Sequence, residues 1–121
     1  MTRETQINTL LPLKPVEVEL LLALVDEERH GYGLVQEISE RSEGVVRLEP
    51  GNLYRVIKRL LADGLVQEST RRAVGDSDER RRYYRITPLG GRVIRAELHR
   101  LRSLIASRPA RQALARRNGS A

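Results

Sequence analysis

Two stretches hold most of the side chains that could do chemistry. The first, DERRRYYRITPLG from Asp78 to Gly90, sets three consecutive arginines beside two of the chain's four aromatic residues. The second, EPGNLYRVIKRLLADGLV from Glu49 to Val66, carries Arg55, Lys58 and Arg59 beside an apolar stripe. Of 22 basic residues only Lys14 and Lys58 are lysines. An arginine fork binds phosphate oxygens and guanine edges with two parallel hydrogen bonds, which an ammonium cannot copy. That chemistry is recognition rather than bond-making. The only two histidines, His30 and His99, are far apart in sequence and lack metal-ligand company, and His30 reads as a cap or turn residue. Neither a glycine-rich phosphate loop nor a serine elbow is present, and the carboxylates sit mostly among arginines, where ion pairing is the default. With no cysteine, disulfides and thiolate metal sites are excluded and a reducing cytosol fits. We expect no enzyme, no cofactor and no metal.

Length and charge bound the rest. A chain of 121 residues makes one domain or one domain with an appendage, and a partner subunit is a natural source of further stability. The net charge of +6 suits an anionic partner, although a solvated basic surface has equal standing from charge alone. The longest apolar run, LLLALV from Leu20 to Val25, is too short to span a bilayer, and the start lacks a signal-peptide pattern. The expected location is the cytoplasm, in association with the nucleoid.

The elements that must position the cations follow from periodicity. Residues 1–14 read as a loose leader with an apolar patch of Ile7, Leu10 and Leu11. Pro15 opens a helix to about residue 28, with Val18, Leu21, Leu22 and Val25 at helical spacing. HGYG (30–33) breaks it, and a second helix covers about 33–42 before Gly44. Pro50 starts a third, with Leu53, Val56, Ile57, Leu60 and Leu61 on one face. At 100° per residue the opposite face carries Arg55, Lys58 and Arg59, with Asn52 and Tyr54 on the borders. Residues 65–72 and 80–86 can pair as a hairpin across the turn signal GDSD. Alternation puts Arg82, Tyr84 and Ile86 on one face, which makes Tyr84 a core residue; Tyr83 on the other face is undecided. Thr87 and Pro88 start a helix to about residue 107. Ile94, Leu98, Leu101 and Ile105 form a coiled-coil-like seam on it, the expected dimer contact. Gly90 and Gly91 cost helicity there, which implies a close neighbour.

Three helices, a hairpin and a long helix make a mainly α (α+β) chain of the winged helix-turn-helix type. The domains would be a leader (1–14), a DNA-binding unit (15–87), a dimerisation helix (88–108) and a flexible basic tail (109–121) with room for a short helical turn before a frayed end. In that architecture the third helix enters the major groove and the hairpin lies along the backbone. A cationic helix face is usually only a solvated face. Here it is followed by a hairpin whose arginines, Arg71, Arg72, Arg80, Arg81 and Arg82 among them, flank the acids Asp76, Asp78 and Glu79 at the turn. That segregation favours contact with phosphate.

Three ordered motifs, HGYGL (30–34), GNLYRVIKRLLADGLV (51–66) and RRYYRITPLG (81–90), resemble those of the PadR family of bacterial transcriptional regulators. The likeness spans about residues 12–105 and points to the compact subfamily with one C-terminal helix. It implies a homodimer, joined through the terminal helices, that represses by binding a palindromic operator. It also implies Tyr32 and Tyr54 near the DNA. Asn52 stands where threonine is common, and Arg55 replaces a frequent proline, so the operator sequence is open. Arg55 and Arg59 are the expected base contacts and Lys58 a backbone contact. Some relatives respond to flat drug-like molecules through a tryptophan in the dimer helix. This chain has none, so a small-molecule effector must be held otherwise. A winged module used only for protein contact, and an RNA binder, remain alternatives.

Overall fold

The computed structural model describes residues 3–72 and 82–116. Its elements, in chain order, are α1 (Arg3–Thr9), α2 (Pro15–Asp26), β1 (Arg29–His30), α3 (Gly31–Arg41), α4 (Pro50–Ala62), β2 (Val66–Arg72), β3 (Arg82–Ile86), α5 (Pro88–Ala106) and α6 (Arg108–Ala115). One core, centred on Leu20, Leu21, Leu24, Leu34, Ile38, Leu53, Ile57, Leu60, Leu65 and Val93, is shared by α2, α3, α4, the sheet and α5. The tri-helical unit with a wing and a long following helix is the architecture expected from the residue pattern.

Local signals explain most boundaries. Glu17 reaches back to accept from the Lys14 backbone N–H at 2.8 Å, half of a capping box at the start of α2. The His30 ring Nδ1 accepts from the Gly33 N–H at 3.0 Å, so α3 starts at Gly31, two residues earlier than helix periodicity suggests. At the end of α4, Gly64 (φ 75°) and Leu65 donate to Leu61 and Leu60, the paired bonds of a Schellman motif. Thr87 caps α5: its hydroxyl accepts from the Gly90 N–H at 3.0 Å and donates to the Gly64 carbonyl at 2.6 Å.

The sheet is three-stranded and antiparallel, in the order β1-β3-β2. The short strand β1 is not legible as a strand in the sequence. It aligns Arg29 with Tyr84 and His30 with Tyr83. On the other side β3 pairs Val66 with Ile86 and Glu68 with Tyr84, and the ladder becomes irregular between Glu68 and Arg72. Tyr84, in the central strand, is buried as its face predicts, whereas Tyr83 is half-buried.

Two expectations need correction. The leader is not loose: Arg3–Thr9 form α1, and Ile7, Leu10 and Leu11 pack on the core. The tail forms α6 over Arg108–Ala115, with the Ser107 hydroxyl accepting from the Ala110 N–H; residues 117–121 lie outside the described residues. The long helix ends where its spacing predicts, at Ala106 with Ser107 (φ −63°, ψ 152°) as its cap, and Arg108 opens the new helix because Pro109 is tolerated in a first turn. Finally, Gly90 has the close neighbour that was anticipated, since a Cβ there would lie 2.1 Å from the Leu65 carbonyl oxygen. Gly91 has open space.

Candidate nucleic-acid interface

The three sequence motifs meet at one place. His30 and Gly31 sit where β1 runs into α3. A Cβ on Gly31 would stand 3.0 Å from the Tyr54 hydroxyl, so α4 lies tightly against the first turn of α3. The His30 ring meets Tyr83 edge-on at 5.3 Å between centroids and an 84° interplanar angle. Thus α4, α3 and β3 are held to one another at a junction formed by residues from all three motifs. Tyr32, one residue on, is 62% exposed.

From this junction α4 presents its outer face. Leu53, Ile57 and Leu60 are buried, Tyr54 and Val56 are half-buried, and Asn52, Arg55, Lys58 and Arg59 are exposed. Among the described residues Arg55, Lys58 and Arg59 make no ion pair, in contrast to Arg29 and Arg41 on the neighbouring elements. Arg29 has Glu27 at 3.2 Å, and Arg41 has Glu19 at 2.8 Å and Glu37 at 3.2 Å. Arg100 is bonded to Glu97. Among the described residues the arginines at the β1 junction and at the end of α3 are thus paired, whereas those of α4 are open, as are Arg92, Arg95, Arg108 and Arg111 on α5 and α6.

The wing is a mixed case. Arg82 is half-exposed and lies 3.7 Å from Glu68 across the ladder, so its charge is partly answered within the sheet. Arg71 and Arg72 close β2; their side chains, and all of Arg80 and Arg81, lie outside the described residues.

Two residues near α4 were missed by sequence reasoning. Lys14, before α2, and Arg47, in the loop between α3 and α4, join Asn52, Arg55 and Arg59 around a cleft of about 280 Å³. Nothing in the periodicity marks either residue, since both lie outside helices. Glu97 was also missed. It is fully buried on α5, where its carboxylate accepts from the Leu13 backbone N–H at 2.7 Å and from Arg100 at 3.1 Å. The hydrogen bonds from Arg100 hold the Glu97 carboxyl below the usual carboxylate range against the opposing pull of burial, with the Leu13 N–H adding to them.

The predicted seam on α5 is divided. Ile94 is 3% exposed and belongs to its own chain's core, so it is not free for a partner. Leu101 is half-buried, while Leu98 (41%) and Ile105 (58%) stay exposed, as does Leu104. An open cleft of about 560 Å³ between α2 and α5 includes Leu22, Val25, Ile86 and Leu98 in its walls. Among the described residues there is no cluster of potential metal ligands, and no helix is long and apolar enough to cross a membrane.

The pattern defining the transcriptional regulator PadR-like family matches residues 20–96. The chain belongs to the PadR family. The match starts within α2, takes in the junction, α4, the wing and the first half of α5, and leaves α1 and α6 outside. A similar relative is the transcriptional regulator Rv3488 of Mycobacterium tuberculosis, 40% identical over 62% of this chain and 64% of that protein. The chain therefore matches less than two thirds of that relative's length. Among solved structures, a PadR family transcription regulator from Clostridium difficile is similar with a TM-score of 0.68 at 22% identity, covering 84% of this chain and 100% of that one. Bacillus subtilis PadR, solved in complex with operator DNA, is similar with a TM-score of 0.60 at 18% identity, covering 72% of this chain and 48% of that one. At such identities the two likenesses speak for the winged-helix fold. The family to which the chain belongs is one of transcriptional regulators.

Proposed function

We propose that this PadR-family chain is a sequence-specific binder of double-stranded DNA that acts as a homodimeric, ligand-responsive repressor on a palindromic operator. The observation that carries the reading is the row of exposed cations on α4 that make no ion pair among the described residues, opposite a face where Leu53, Ile57 and Leu60 are buried in the core and Leu61 stays partly open. In this reading α4 enters the major groove. Arg55 and Arg59 contact bases, Asn52 reads adenine or a phosphate, Lys58 binds the backbone, and Tyr32 and Tyr54 approach phosphates from the α3 side. The wing arginines Arg71, Arg72, Arg80, Arg81 and Arg82 follow the backbone. The apolar surface of α5 left open at Leu98, Leu104 and Ile105 supports pairing with a second copy. The cleft between α2 and α5, whose walls carry Arg92, Arg95 and His99 beside Leu22, Val25 and Leu98, supports a small-molecule effector held without tryptophan.

The test is selection of bound duplexes from a random pool, with and without flat aromatic compounds, followed by titration against salt. The reading expects enriched inverted repeats with half-sites about ten base pairs apart, or a multiple. It also expects affinity to fall by roughly three to five decades between 50 and 200 mM salt for six to ten phosphate contacts. A flat salt response on duplex DNA would favour a protein-contact module. Preference for duplex RNA would overturn the groove geometry, since a helix cannot enter that deep, narrow groove.

A further inference from the structure

We infer that the cleft on the α2 side of α4 is a seat for a backbone phosphate, with Lys14 and Arg47 as its ligands. The inference deepens the DNA-binding reading and rests on it. Three separate stretches of chain bring basic residues to this one concavity of about 280 Å³: Lys14 from the start of α2, Arg47 from the loop before α4, and Arg55 and Arg59 from α4 itself. Gathering like charges is unfavourable, by about 1 kcal/mol per pair at 4 Å in water and more beside a protein wall. The one carboxylate in the lining, Glu17, is buried and spends Oε1 on the Lys14 backbone N–H. Among the described residues neither Lys14 nor Arg47 makes an ion pair, although Arg47 donates to the Gly44 carbonyl at 3.2 Å. A concave, open, cationic site of this kind is complementary to an anionic group with several acceptor oxygens.

Position identifies the source of that anion. Tyr54 occupies the border of α4 that faces α3, whereas Asn52, Val56 and Arg59 line the cleft on the other border. A helix in the major groove is flanked by two sugar-phosphate strands. Tyr32 and Tyr54 stand on the flank toward one strand, and the cleft lies on the flank toward the other. Its neighbour Asn52 is then held against the base edges by a phosphate contact two elements away in sequence.

The test uses the full chain with Lys14→Gln, Arg47→Gln and the double variant, on a selected duplex and on an unrelated one. Both residues are exposed, and circular dichroism melting checks that the fold is kept. The double variant should lose affinity for both duplexes by the same factor. Its plot of log affinity against log salt should be shallower by about 2, from roughly 0.9 per lost contact. Arg41→Gln, which removes an arginine already paired with glutamates, should leave that slope in place. Unchanged slopes in the double variant, with a steep slope in the unaltered protein, would overturn the seat and leave the DNA reading standing. So would a loss confined to the selected duplex, which would make these residues base readers. Calorimetry with inorganic phosphate adds a further arm. Binding abolished in the variants while their DNA slopes stay unchanged would assign the cleft to a free anion and overturn the backbone source. No salt-dependent duplex binding by the unaltered protein would overturn the functional reading itself, and the seat with it.

Discussion

At the scale of single residues, the informative contrast is between arginines that are answered and arginines that are not. Sequence shows where a basic residue lies on a helix face but not whether a carboxylate from another element will meet it. Arg41 and Arg55 look alike in the chain, yet Glu19, from a different helix, closes on Arg41 and nothing described closes on Arg55. In the proposed complex, Arg55→Ala should cost about 1–3 kcal/mol on the selected duplex and relax its sequence preference. Selection repeated with the variant checks this, and a uniform loss over all sequences would place Arg55 on the backbone instead. Glu97 shows the opposite limit of sequence reading. A carboxylate among arginines suggests a surface ion pair, but this one is buried and tethers Leu13 to α5. Because its folded pKa is lowered, it contributes stability above the unfolded value and loses that contribution as pH falls through the folded one. Glu97→Gln should destabilise the fold at neutral pH by roughly 1.5–3 kcal/mol, the range for a hydrogen bond to a charged group. The gap from the unaltered protein should narrow below about pH 4, as urea melts at both pH values would show.

At the scale of elements, the core helices and hairpin were legible because their apolar periods and their Pro and Gly punctuation agree. The ends of the chain were not. The α1 segment RETQINT carries one isoleucine, and α6 has no buried residue, so neither gives a strong apolar stripe. Strand β1 has two residues, and its identity comes from its neighbour β3 rather than from its own composition. The paired glycines of α5 show the same division. Helical propensity flags both, but only tertiary structure separates them. Gly90→Ala should destabilise by about 1–3 kcal/mol, because its Cβ has no place beside the Leu65 carbonyl. Gly91→Ala should instead stabilise, by up to about 1 kcal/mol, because it meets nothing and gains helix propensity. Denaturant melts of the two single variants provide the comparison.

At the scale of the whole molecule, net charge is a poor guide to where anions bind. Residues 98–121 hold six arginines and no acid, so the remaining sixteen basic and sixteen acidic residues cancel. The case for the α4 surface therefore rests on segregation and pairing, not on the total. The dimer seam illustrates a related gap: heptad spacing put Ile94 with Leu98, Leu101 and Ile105, but the monomer core takes Ile94. In the proposed dimer Leu98→Glu should give a monomer by sedimentation and weaken operator binding, and a variant that stays dimeric would move the interface elsewhere. The Thr87 joint bears on how such a pair would work. Its hydroxyl fastens the start of α5 to Gly64, just past the end of α4, and Gly90 leaves no slack against Leu65. A tilt of α5 must then swing α4 as a lever. Over the roughly 20 Å length of a 13-residue helix, a rotation of about 10° sweeps the far tip through about 3.5 Å, close to the ~3.4 Å rise of one base pair. A wedge lodged between two copies could thus throw both reading heads out of step with the double helix without unfolding anything.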